Sequence, residues 1–360
     1  MINFAKIMHM SRHFLFFCSY SYAIPILRPL ENEIKLRGDE VAWFLEPTCN
    51  DDSLTVSDIR LHTRKEVKEW NPLAVFAPGI FVYDFFPGIK VEVFHGYPIY
   101  KRGGTEETHF RIRGWFDIYL SSGPSSTPIF LEEEKKYGHF KTYETGWAKV
   151  DSIIRAKEEA AKNPRTDDRP VIFVSTTFSD KVTQLRRLFP TIKRLSETRD
   201  WRWIITMHPK LDDSGLKADL AELAQTHDNV EFMPVTPDAN VMAMTDVMLC
   251  DASSIILEYM MLDKPVVTLC NTTPGPHLVD VQTPEDVEAA IEQALTRPPQ
   301  LMKSIKDYIG MHESHLDGHN CERIMNAVDD FIKNYQGKLK HKPLNLFRKL
   351  KLRLKLRNKL

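Results

Sequence analysis

The chain has 360 residues, of which 42% are hydrophobic and 27% charged, and its formal net charge is −1. Those values are ordinary for a soluble globular protein, and the length suits two domains. The near-zero charge hides an asymmetry. Residues 333–360 carry eleven Lys or Arg and no acid, and the rest holds 37 basic against 49 acidic residues, a net of −12. A body so charged is a poor nucleic-acid binder, and the tail is the basic surface. The five cysteines form no CxxC and are odd in number, which fits reduced thiols and no disulfide framework. No apolar run approaches the ~20 residues that span a bilayer.

Near the N-terminus, HFLFFCSYSYAIPIL has the composition of a signal segment. No small-residue cleavage site follows and charges resume quickly, so it reads better as the first strand of a Rossmann-like domain. Short apolar runs ended by turn residues predict buried parallel strands at 13–19, 40–45, 73–76, 91–94 and 116–120. Helices are predicted at 28–36, around 125–136 and from 149 to 162. The stretch from Pro87 to Gly104 is rich in Gly, Pro and aromatics and reads as a loop near a ligand. The polar run NPRTDDRP, residues 163–170, is the expected domain boundary.

Beyond it, strands at 171–174, 202–207, 230–233, 247–250 and 265–268 alternate with helices at 181–198, 216–226, 239–244 and 253–261. Three more helices, at 285–296, 299–309 and 320–335, follow. The tail alternates Leu with Lys or Arg from Leu350 to Leu356, which is strand period. The expected class is therefore α/β, with a domain over 1–162, a second over 170–335 and a basic tail over 336–360.

Two strand ends stand out. WIITMHPK places His208 and Lys210 after one strand, and VMLCDASSIILEYM places Ser253 and Ser254 where a helix begins after another. Open α/β sheets bind ligands at carboxyl strand ends, and a helix start suits phosphate. Serines there serve equally as helix caps. Glu258, four residues after Ser254, shares its helix face. Thr176 and Thr177 make a third hydroxyl-bearing turn, open to the plain reading of a local hydrogen-bonded turn. His95 and Gly96 follow the strand in VEVFHGYPIYKRGG, and a near-neutral pKa suits His95 to proton transfer. His312, Glu313, His315 and His319 lack the spacing of a zinc motif, and no metal is expected.

These blocks, with FDIYLSSGPSS, TGWAKVDSI, VIFVSTTFSD and DGHNCERI in the same order, resemble the CDP-glycerol glycerophosphotransferase family, the teichoic-acid-type polymerases and primases. The resemblance covers roughly residues 70–330, and the order of the blocks is more specific than any one of them. It implies a GT-B fold, two Rossmann-like domains facing across a cleft, with the acceptor side in 1–162 and the CDP donor in 170–335. It implies transfer of glycerol phosphate or ribitol phosphate from CDP-glycerol or CDP-ribitol to a hydroxyl of a lipid-linked or cell-surface glycan, with release of CMP and without a cofactor. In that reading His95 is the base, with Gly96 and Lys101 on the acceptor side. His208 is the second catalytic residue. Thr176, Thr177, Lys210, Ser253, Ser254 and Arg323 hold the donor phosphates, and Glu258 holds the ribose. Tyr97 and Tyr100 replace the family's usual Thr and Lys, and Ala252 its usual Tyr. The tail, residues 338–360, is expected to bind anionic lipid, so that the enzyme is cytoplasmic and peripheral on the inner face of the plasma membrane. The alternatives are a nucleotide-sugar GT-B glycosyltransferase, a UDP-sugar 2-epimerase, or a non-catalytic membrane-binding protein of the same fold.

Overall fold

The computed structural model describes residues 11–50, 52–97, 110–179, 182–208, 210–235 and 238–357. It divides the chain into two compact units. One comprises residues 1–96, 110–151 and 319–360, and the other 97–109 and 152–318.

The first unit is built on seven parallel strands: β1 (His13–Cys18), β2 (Glu40–Leu45), β3 (Ile59–Arg60), β4 (Ala74–Ala77), β5 (Ile89–Glu92), β6 (Ile118–Ser121) and β7 (Lys141–Glu144). Their order across the sheet is β3-β2-β1-β4-β5-β6-β7. The strands are apolar on both faces because both are covered. On one face Leu15, Phe17, Ala42, Phe44, Val75 and Ala77 meet Tyr83, Phe86 and Phe130 in a single core cluster. On the other, the Phe16 ring packs edge-on to Trp43 at 4.7 Å. Here α1 (Ala23–Leu36) packs against α11 (Asn320–Asn334).

The second unit has six parallel strands, β8 (Val171–Ser175), β9 (Arg202–Thr206), β10 (Val230–Met233), β11 (Val247–Cys250), β12 (Val266–Leu269) and β13 (Val279–Val281), in the order β10-β9-β8-β11-β12-β13. Alternate residues such as Ile172, Val174, Trp203, Ile205, Val247 and Leu249 share one core cluster with apolar residues of three helices. These are α5 (Leu185–Thr198), α6 (Ser214–Thr226) and α9 (Val287–Leu295). Phe173 points the other way and stacks on Tyr259 of α8 (Ile255–Met260) at 5.9 Å.

Three expectations are corrected. Helix α11 belongs to the first unit, not to a second domain ending at 335. Its N-terminus is held there by Asp151, whose carboxylate accepts the Asn320 and Cys321 N–H groups at 2.9 and 2.8 Å. Arg12 also pairs with Asp329. Residues 336–360 likewise fall within the first unit, not apart from it. The alternating Leu/Lys segment of that tail forms helix α12 (Leu346–Arg357), not a strand. Leu, Lys and Arg are all good helix formers, and the segment has no β-branched residue to favour extension. Lys349 and Arg353, one turn apart, both reach Asp84, and Leu352 packs on the first core. No described helix is long and apolar enough to cross a membrane.

Candidate active site: two strand-end histidines

In each unit the strand order reverses direction once, between β1 and β4 in the first sheet and between β8 and β11 in the second. Ligands of open α/β sheets bind outside the carboxyl strand ends at such points. The expected site residues on described positions gather at or beside these two places, with Arg323 as the exception.

In the second unit, Thr176 and Thr177 follow β8, His208 follows β9, and Asp251 to Ser254 follow β11. Asp251 is fully buried and ties the ends together. Its carboxylate accepts the Thr177 N–H at 2.9 Å, the Gln184 N–H at 3.2 Å and the Ala252 N–H at 2.6 Å. Burial raises its pKa and these bonds oppose the rise. Thr176 is 3% exposed and its hydroxyl has no partner among the described residues. The Phe178 ring lies 4.5 Å from the His208 ring and 5.6 Å from the Lys210 ammonium.

His208 Nδ1 accepts the Lys210 backbone N–H at 3.0 Å. An accepting Nδ1 bears no hydrogen, so the imidazole proton is on Nε2, which makes that atom a donor. Ser253 is half-buried and Ser254 exposed. Ser254 occupies the N-cap of α8, but its side chain makes no capping bond, and the helix has only six residues. The macrodipole available there is correspondingly small. Glu258 is 7% exposed on the same helix. Its charge helps to raise the pKa of buried Tyr97, behind desolvation and Glu313, to which the Tyr97 hydroxyl donates at 2.6 Å. Glu313 also accepts the His315 N–H at 3.2 Å. Among the described residues no group of three or more His, Cys, Asp or Glu is placed to hold a metal.

In the first unit, His95 lies just beyond β5, with its Nδ1 3.2 Å from the Pro78 carbonyl oxygen at the end of β4. A carbonyl oxygen can only accept, so Nδ1 carries the hydrogen and Nε2 presents a lone pair. The ring sits 5.5 Å from that of Tyr22. Desolvation lowers the His95 pKa below its ordinary 6.5, and the bond to Pro78 opposes this. The residue still exposes a large part of its surface, which limits the shift.

The turn that presents His95 is strained. Phe94 has φ +58° and Gly96 φ +152°. Phe94 is held by the Trp147 indole N–H, which donates to its carbonyl at 3.2 Å. The Trp147 carbonyl in turn accepts the Asn320 side-chain amide at 3.2 Å. The TGWAKVD and DGHNCER segments thus pack on each other and on the His95 turn. Trp147, Asp151, Asn320 and Asp251 were not expected site residues, although all four lie in the blocks that carry the resemblance. Arg323 stands on α11 in the first unit, where its guanidinium donates to Asn320 Oδ1 at 3.1 Å. Lys101 lies outside the described residues.

Two doubly wound parallel-sheet units with histidines at their carboxyl strand ends define a GT-B-type α/β protein. Solved structures agree on the fold. The wall teichoic acid polymerase TagF superposes with a TM-score of 0.63 at 13% identity, over 89% of each chain. A TagF variant soaked with CDPG scores 0.60 at 14% identity, over 91% of this chain and 90% of that one. The UDP-GlcNAc 2-epimerase from Neisseria meningitidis bound to UDP-GlcNAc scores 0.59 at 13% identity, over 89% of this chain and 100% of its own. No curated protein matches by sequence. The profile of the CDP-glycerol:poly(glycerophosphate) glycerophosphotransferases matches residues 89–273, just over half of the chain. The chain belongs to that family of transferases.

Proposed function

We propose that the protein transfers glycerol phosphate, or ribitol phosphate, from a CDP-alditol to a hydroxyl of a lipid-linked glycan and releases CMP. The observation that carries this reading is the family match over 89–273, which spans His95 and every donor-side candidate except Arg323. The polymerase of similar fold that was soaked with CDPG supports the donor class. The epimerases share the fold nearly as well, so the fold alone does not choose between them; the family does.

In the proposed reaction the acceptor hydroxyl gives its proton to His95 Nε2 and attacks the phosphorus that bears the alditol. The bond from that phosphorus to the bridging oxygen breaks, and CMP leaves with the electron pair. Phosphoryl transfer rests on positioning and on stabilising charge. His208 Nε2–H and the Thr176 hydroxyl are donors for the phosphate oxygens, with Lys210, Thr177, Ser253 and Ser254 beside them and Glu258 toward the ribose. Gly96 lets the base-bearing turn adopt its backbone geometry. The scheme requires no cofactor besides the donor. CDP-glycerol or CDP-ribitol should raise the melting temperature and UDP-sugars should not, because a ligand of the folded state stabilises it. Stabilisation by UDP-sugars alone would sink the assignment.

The acceptor reading assigns the tail to the anionic inner face of the plasma membrane. In its support, Leu346, Phe347, Leu350 and Leu354 are 66%, 91%, 57% and 52% exposed on α12, a stripe at helical spacing among basic residues. Deleting residues 338–360 should abolish sedimentation with anionic vesicles. Phe347→Glu with Leu350→Glu should do the same and spare the contacts with Asp84. Unchanged pelleting of that double variant would remove α12 as the anchor.

A further inference from the structure

At the opposite edge of the first sheet from His95, the amino ends of β5, β6 and β7 face the segment that follows α11. Between them is an open pocket of about 960 Å³, its mouth included. Lys90, Asp117, His139, Lys340, His341 and Lys342 supply its charged and imidazole groups. Three ammonium groups thus meet a single carboxylate.

The inner part is built, not incidental. Lys90 is 6% exposed, and its ammonium donates to the Phe86 carbonyl at 2.8 Å and to that of Gly88. Lys342 bridges Asp117 at 2.7 Å and the Trp115 carbonyl at 3.0 Å. His139 is 5% exposed, and its Nε2 has no hydrogen-bond partner among the described residues. Such an orphaned ring nitrogen, sealed from solvent, is costly. Burial and the charge of Lys342 draw Lys90 down to about 8. Burial likewise lowers Lys342, and burial with the Lys342 charge lowers His139. Each group therefore gains from a negative charge placed among them. Gly88 lies at φ +77°, and a Cβ there would come within 2.2 Å of the Pro72 carbonyl oxygen, so the wall beside Lys90 is closely fitted backbone.

We infer that this pocket binds a phosphate-bearing anion, with Lys340 at its mouth and Lys342 within, above the buried Lys90 and His139. The site is independent of the proposed transferase centre, since it lies at amino strand ends and shares no residue with it. Two sources offer the same chemistry, a free phosphate and the headgroup of an anionic lipid. The mouth leads through Lys342 directly into α12 and its exposed apolar stripe, which fits a headgroup.

Titration calorimetry of the full chain with inorganic phosphate is the first arm. Lys340→Glu and Lys342→Gln should each weaken binding at least tenfold. Lys351→Glu, an equal charge change on exposed α12, should not. Thermal denaturation checks that Lys342→Gln is folded, and Lys340→Glu alters only an exposed side chain. The second arm is sedimentation with phosphatidic acid vesicles. If free phosphate does not bind, loss of pelleting in Lys340→Glu but not in Lys351→Glu identifies a headgroup site. Phosphate binding weakened only by His208→Ala would overturn the pocket and leave the transferase reading intact. Equal vesicle binding by the two lysine variants, without phosphate binding, would also overturn it.

Discussion

His95 and His208 occupy comparable places, each just beyond the carboxyl end of a parallel strand, yet their surroundings prepare them for opposite tasks. His95 Nδ1 donates to a carbonyl and leaves Nε2 as a base; His208 Nδ1 accepts a backbone N–H and leaves Nε2 as a donor. One hydrogen bond to the main chain sets each tautomer, and so the direction in which each ring can move or share a proton. The supports differ as well. The His95 turn is strained and pinned by Trp147, whereas the His208 ring lies tilted against Phe178, beside the Lys210 ammonium. The residue type alone would not distinguish an accepting Nε2 from a donating one, and the nearest backbone atom does.

The sharpest way to break this comparison is to truncate each ring. His95→Ala should cut turnover by ~10²–10⁴-fold, the usual range for a general base, while donor affinity persists. His208→Ala should lower both. Equal effects on turnover and donor binding from the two variants would show that the rings do one job.

Next in size is Asp251→Ala, which strips the acceptor from three backbone N–H groups in the second unit. It should lower stability by about 2–4 kcal/mol in thermal or denaturant unfolding, since those groups are left unsatisfied. A change under about 0.5 kcal/mol would mean that water replaces the carboxylate. Trp147→Phe is smaller. It removes the bond to the Phe94 carbonyl, worth about 0.5–1.5 kcal/mol, so turnover should fall about two- to tenfold with the donor affinity unchanged. A fall in donor affinity instead would place Trp147 outside the His95 support.

The smallest effect is on pH dependence. Desolvation disfavours the imidazolium of His95, so its pKa lies below 6.5. The base is competent only when neutral, and activity should therefore rise with pH through a midpoint under 6.5 and level off near neutrality. An acidic limb centred above 7 would contradict the environment described for the ring.

Most of this architecture is legible in the chain. Parallel strands buried on both faces write themselves as short apolar runs, and β1, β2, β4, β8, β9 and β11 lie where those runs predict. The edge strands β3 and β13 have only two and three residues, too few to show a pattern. Helix α2 (Arg64–Trp70) was missed although Thr63 and Glu66 form a capping box that the sequence displays. The placement of α11 was not legible, because it depends on Asp151, 169 residues before Asn320. The helical form of α12 was hidden by a strand-period alternation, and its docking depends on Asp84, far from it in sequence. At the site, the positions of His95, His208, Thr176 and Ser253 follow from strand ends. Their proton arrangements do not, since the Pro78 carbonyl and the Lys210 N–H become neighbours of the rings only in the fold.

The central claim is a division of labour in transfer from a CDP-alditol. Its most direct test is to incubate the wild type and His95→Ala with CDP-glycerol, CDP-ribitol and UDP-sugars, each with a soluble acceptor, and to quantify the free nucleotide. The account expects the wild type to release CMP from a CDP-alditol only, and His95→Ala to bind that donor yet release about 10²–10⁴-fold less. Release of UDP by the wild type, or undiminished CMP release by His95→Ala, would contradict it.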